Sequence, residues 1–140
     1  MPVRGDYEID FDRSRLPMAQ IVAWLQQSYW AAGRPEHLIR RSWDHAGVVA
    51  GIYHGDDLAG CARVVTDFVA IAYLADVYIA PAHRGRGLGT WLVETLINHP
   101  DLATVRWLLH TRDAHQVYAR AGFQPASSLV MERPRRSPAS

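Results

Sequence analysis

The stretch Asp76-Val77-Tyr78-Ile79-Ala80-Pro81-Ala82-His83-Arg84-Gly85-Arg86-Gly87-Leu88-Gly89-Thr90 decides how this chain is read. Its first four residues lie in an apolar run, Ile71 to Ala80, that suits a strand buried on both faces. Beyond Gly85 and Gly87, the residues Leu88, Trp91, Leu92, Thr95 and Leu96 recur at helical spacing until Asn98-His99-Pro100 stops them. A strand therefore hands over to a helix through glycines. Such a junction presents several backbone N–H groups where the helix dipole is positive, which favours a phosphate or pyrophosphate. Glycine serves there because a Cβ would block close approach and restrict the turn. Arg84 and Arg86 add charge that can pair with phosphate oxygens. A dinucleotide fingerprint starting at Gly85 needs glycine or alanine at Thr90, and a nucleotide-triphosphate loop needs a Gly-Lys-Ser/Thr end. Neither is present, so the loop is of another kind.

Working outward, Tyr7, Ile9 and Phe11 alternate with acidic residues, the period-two pattern of a half-buried strand. Met18, Ile21, Val22, Leu25 and Tyr29 place a helix over Pro17 to Trp30, and Pro35 to about Asp44 suits a second. The runs Gly47 to Tyr53 and Leu58 to Thr66 flank His54-Gly55-Asp56-Asp57 as an antiparallel hairpin. After the glycine helix, Val105, Trp107 and Leu109 give another strand, Ala114 to Ala121 a short helix ended by Gly122, and Phe123 to Arg133 one or two closing strands. The order is that of an α+β sheet with a central βαβ unit. One domain over residues 1–133 and a disordered tail over 134–140 are expected.

Composition narrows the classes further. Fifteen Lys and Arg stand against fourteen Asp and Glu, so the overall field favours neither nucleic acid nor an anionic membrane as a partner. Arg133, Arg135 and Arg136 read as a solvated tail, with no nucleic-acid motif beside them. A single cysteine, Cys61, excludes an internal disulfide and fits a reducing compartment. The acidic N-terminal residues do not read as a secretory segment, and no apolar stretch approaches the roughly 18 residues a membrane helix needs, so a cytoplasmic protein is expected. The seven histidines form no ligand spacing, and no metal is expected.

Two motifs together carry a resemblance. Arg84-x-x-Gly87-x-Gly89 after the strand ending Val77-Tyr78-Ile79 resembles the acetyl-CoA signature of the GNAT superfamily of N-acyltransferases. About thirty residues later, Tyr118-Ala119-Arg120-Ala121-Gly122-Phe123 resembles that family's closing motif, a tyrosine followed by Gly-Phe on a short helix. The resemblance implies a mixed, mostly antiparallel sheet of six or seven strands flanked by about four helices, in a three-layer-like arrangement. It implies acetyl-CoA as co-substrate and transfer of its acetyl group to a primary amine, of a small molecule or a peptide, in a ternary complex. It assigns the cofactor to Arg84, Gly85, Arg86, Gly87, Leu88, Gly89 and Thr90 and to the backbone of Val77, Tyr78 and Ile79. Thr111 stands where many members carry an asparagine that contacts the cofactor; its hydroxyl can still donate a hydrogen bond. The resemblance leaves room for a homodimer, and for a non-catalytic acyl-CoA sensor on the same fold.

Acyl transfer from a thioester to an amine needs a deprotonated amine, donors for the developing oxyanion and an acid for the leaving thiolate. By resemblance, Tyr118 is the acid and Asp76 the leading base, while an aspartate that merely bonds a neighbouring loop is the plainer reading of Asp76. Trp24, Tyr29 and Trp30 lie in the region where the family recognises its acceptor, though tryptophans packing helices onto the sheet explain them as well.

Overall fold

A computed structural model describes residues 1–135. The expected tail therefore lies outside the described residues from position 136 onward. One six-stranded sheet runs in sequence order, β1 (Val3–Arg4), β2 (Tyr7–Asp10), β3 (Val48–His54), β4 (Asp57–Thr66), β5 (Ile71–Ile79) and β6 (Arg106–Leu108). All neighbours are antiparallel except β5 and β6, which are parallel because α3 (Leu88–Ile97) crosses between them. With α1 (Met18–Gln26), α2 (Glu36–Asp44) and α4 (His115–Arg120), the sheet is a mixed α+β layer between helices, as expected.

The strand β3 shows why both faces must be covered. Val48, Ala50 and Ile52 join the core under α3 with Leu88, Leu92 and Leu96. Val49 and Tyr53 join the opposite core with Ile21, Leu25, Ile39 and Trp43 of α1 and α2. Alternation along one strand thus builds three layers. The tight turn between β3 and β4 falls at Gly55, whose φ of +63° a side chain would strain.

Four expectations need correction. A short strand, β1, precedes the expected first one and pairs with it through the Gly5 turn. The helix α1 stops at Gln26 rather than Trp30, because the Ser28 hydroxyl donates to the Leu25 carbonyl at 2.6 Å and accepts from the Ala31 amide at 3.2 Å. The run Ile71 to Ala80 is buried alternately, not on both faces: Ala72, Leu74 and Asp76 are buried, while Ile71 is exposed and Tyr73 and Ala75 are only partly covered. The reason is that this face lies outside the α1–α2 core, which takes only Tyr78 from β5, and Tyr73 and Ala75 line a cavity instead. Finally, Phe123 to Arg133 forms no strand; a turn closed by the Val130 amide on the Ser127 carbonyl, and by the Leu129 amide on the Ser127 hydroxyl, uses its backbone groups locally.

Candidate active site

The sheet opens where β6 ends. From Leu74 to Ile79, β5 has no strand beside it on that edge among the described residues, which leaves backbone groups available to another partner. On its other edge β5 carries a bulge: Arg63 pairs with Ala75 and Cys61 with Tyr78, so Ala62 faces both Asp76 and Val77. Asp76 sits at the bulge with φ +55°, unusual for a residue with a side chain. The bulge reverses the alternation. Ala72 and Leu74 point into the α3 core, Val77 and Ile79 follow them there, and Tyr78 turns to the α1 side.

A cavity of about 530 Å³ lies against this opening. Its floor includes Leu74, Asp76 and Val77 of β5, and one wall carries Thr111 and Tyr118 from the β6–α4 segment. Asp76 has a side chain only 2% exposed, and both its oxygens are engaged: Arg63 Nε donates to Oδ2 at 2.6 Å and the Trp30 indole donates to Oδ1 at 2.9 Å. Across the mouth, the Arg112 amide donates to the Tyr29 hydroxyl at 3.3 Å, and the Arg112 guanidinium lies 3.8 Å from the Tyr29 ring centre. The loop between α1 and α2 is thereby tied to the segment before α4.

Tyr118 is half-buried on α4, packed edge-to-face with Phe123. Burial, with smaller contributions from Tyr29 and Asp113, raises its pKa above the ordinary 10.0. Its phenol therefore keeps its proton throughout the neutral range. Thr111 lines the cavity, and its hydroxyl accepts from the Ala114 amide at 3.0 Å, which fixes the entry into α4.

Further along, α3 starts at Gly87 with φ +75° and no side-chain cap, so the Leu88, Gly89 and Thr90 amides at its first turn have no such acceptor. Gly85 has φ +79°, and nothing lies within 4 Å of where its Cβ would stand. The positions a Cβ would strain are those the loop needs open, and the residues present fit a pyrophosphate. Arg84 folds back, donating from Nε to the Ile79 carbonyl at 2.8 Å, with its guanidinium 5.4 Å from the Tyr78 ring centre. Arg86 is exposed.

The structure thus brings Asp76, Val77, Thr111, Tyr118, Tyr29 and Trp30 to one cavity. It does not bring Trp24 there: that ring stacks on Tyr78 at 5.0 Å and packs α1 onto the sheet. Two contributors were missed in the sequence. Arg63 reads as an ordinary strand residue until Asp76 lies beside it. Arg4, on the unexpected β1, donates to the Gly87 carbonyl at 3.3 Å and adds a third guanidinium to the glycine loop.

Comparison with known proteins decides the family. The profile of the Acetyltransferase (GNAT) family matches residues 17–123. This chain belongs to the GNAT acetyltransferase family. The GNAT chain is 37% identical to a candidate GNAT acetyltransferase of Xanthomonas campestris pv. campestris, with a TM-score of 0.87 over 96% of this chain and 95% of that one. It is 30% identical over 115 residues to a candidate acetyltransferase of Gibberella zeae, covering 66% of this chain and spanning 63% of that relative's length. A candidate acetyltransferase of Clostridium acetobutylicum, solved with acetyl-CoA, shares the fold at a TM-score of 0.65 and 15% identity, over 91% of this chain and 94% of that one. No helix among the described residues is long and apolar enough to cross a membrane, and none of their His, Cys, Asp or Glu side chains group to hold a metal.

Proposed function

We propose that this chain transfers the acetyl group of acetyl-CoA to a primary amine by direct attack within a ternary complex. The observation that carries the reading is the opening between β5 and β6, with the uncapped glycine turn at one end and the Tyr118 phenol in the cavity at the other. The loop amides of Gly85 to Thr90, with Arg86, hold the pyrophosphate. The free edge of β5 over Val77, Tyr78 and Ile79 receives the pantetheine amides, and a backbone N–H there polarises the thioester carbonyl.

The amine nitrogen attacks the carbonyl carbon and the carbon–sulfur bond breaks. Tyr118 gives its proton to the leaving thiolate and regains one, through water, from the amine nitrogen. Each Asp76 oxygen keeps a lone pair after bonding Arg63 and Trp30, so Asp76 accepts an amine N–H and orients the nucleophile. Those same donors hold the carboxylate in place beside the nucleophile, and the proton the amine releases is the one that water carries to Tyr118. Tyr29 and Trp30 shape the acceptor side.

The test combines titration calorimetry with acetyl-CoA and thiol release from acetyl-CoA over a panel of primary amines. Binding together with amine-dependent release supports the proposal. Binding without release for any amine points to a non-catalytic sensor, and no binding at all removes the acyl-transfer reading.

A further inference from the structure

The cavity that holds Tyr118 and Asp76 is lined by four arginines, Arg34, Arg63, Arg112 and Arg135, against two carboxylates, Asp76 and Asp113. That excess of positive charge stands out in a chain whose formal net charge is +1. Arg63 is committed to Asp76, and Arg112 lies over Tyr29. Arg34, half-buried just before α2, forms no ion pair among the described residues. Its pKa is held below the ordinary guanidinium value mainly by burial, with Asp76 opposing and Arg135 and Arg63 adding to the lowering. A guanidinium partly withdrawn from water beside other guanidiniums, facing a cavity, is a group set to receive an anion.

The donor's pyrophosphate is not that anion in the proposed arrangement, because none of Arg84 to Thr90 lines this cavity. A lysine side chain or polyamine brings only more positive charge, which this field disfavours. We infer that the acceptor is a small amine that also carries an oxyanion, a carboxylate or a phosphate, bound by Arg34 with Arg63 behind it, while its amino group reaches Asp76. A cavity of about 530 Å³ has room for such a molecule and the acyl end of the donor together. The inference rests on the acetyl-transfer reading and deepens it by naming the acceptor class.

The experiment compares three acceptors that share a 2-aminoethyl skeleton and differ in charge, ethanolamine, β-alanine and O-phosphoethanolamine, with the longer dication cadaverine. Thiol release from acetyl-CoA is followed for the wild-type protein and for Arg34→Gln, and acetyl-CoA binding is measured separately by calorimetry. At least a tenfold higher kcat/KM for β-alanine or O-phosphoethanolamine than for ethanolamine is expected, with cadaverine poorest. Which of the two anionic amines is preferred tells carboxylate from phosphate. Arg34→Gln should raise KM for the preferred anionic amine about tenfold and change kcat/KM for ethanolamine less than threefold. Preference for ethanolamine or cadaverine, or an equal effect of Arg34→Gln on charged and uncharged acceptors, overturns the anionic-acceptor inference while leaving acetyl transfer standing. Absence of acetyl-CoA binding overturns both. A correctly folded Arg34→Gln is checked by an unchanged thermal midpoint, and Arg34→Lys, which keeps the charge but loses the fork, should recover part of the lost KM.

Discussion

The two ends of the opened strand β5 are built in opposite ways. At one end the glycine turn is local: Gly85 and Gly87 adopt positive φ, α3 begins uncapped, and the proposed donor contacts lie in the backbone of residues 84–90. At the other end the cavity is assembled from afar. Trp30 bonds Asp76 across 46 residues of sequence and Arg63 does so across 13, while Tyr29 reaches Arg112 across 83. A turn that works through amides tolerates change in its side chains but not in its φ angles. A cavity that works through side chains has the reverse sensitivity, and substitutions at the two ends should separate accordingly.

The strongest break of the comparison is Asp76→Ala. It leaves the Arg63 guanidinium, 13% exposed, without its partner, and removes the acceptor for the Trp30 indole. Removing one member of a buried ion pair costs about 3 kcal/mol or more, so urea denaturation should show a loss of that size in folding stability. A loss below about 1 kcal/mol would mean that the pair is not buried as described. The effect should be structural first, with activity falling because the cavity wall moves.

Tyr118→Phe should act on chemistry alone. The hydroxyl is the proposed acid, so kcat should fall about 100-fold with the acetyl-CoA dissociation constant unchanged, as seen by steady-state kinetics and calorimetry. Because the Tyr118 pKa is raised above 10.0, its protonated form is fully present at neutral pH and is lost only as pH rises through the raised value. The wild-type rate should therefore show no Tyr118-dependent decline below about pH 10. A decline that appears nearer neutrality and disappears in Tyr118→Phe contradicts the assigned environment.

Gly87→Val tests the other end. The nearest atoms to an added Cβ are the Arg4 guanidinium nitrogens at 3.5 Å, ordinary contact with a flexible side chain, so space is not the obstacle. The obstacle is φ +75°, where a β-branched residue pays about 1–2 kcal/mol of strain or reshapes the turn. Acetyl-CoA affinity should drop about tenfold with kcat on saturating donor little changed. An unchanged affinity would place the pyrophosphate elsewhere.

These contrasts also explain what the sequence revealed. The βαβ unit around α3 and the pairing of β3 with β4 were legible because glycines, periodicity and turn residues are local signals. The Asp76 bulge was not, since it follows from how β4 and β5 meet rather than from either strand alone. Trp24 illustrates the same limit: aromatics at helical spacing cannot show whether a ring meets a cavity or, as here, stacks on Tyr78. Nor could the run from Phe123 to Arg133 announce that it would spend its hydrogen bonds on the Ser127 turn.

The smallest predicted effect lies where the two modes of construction meet. Arg4 is a distant side chain that serves the local turn, reaching the Gly87 carbonyl from the β1–β2 hairpin. Its bond is long at 3.3 Å and exposed, so its structural contribution is slight. As a further guanidinium beside the amides proposed to hold the pyrophosphate, it should nevertheless strengthen donor binding. Arg4→Ala is expected to weaken acetyl-CoA affinity about threefold at low salt, and the difference should vanish as ionic strength rises to about 0.5 M, because an exposed charge is screened within a few ångströms there. A loss that persists at high salt would mean that Arg4 shapes the turn sterically. The glycine loop would then depend on distant side chains just as the cavity does.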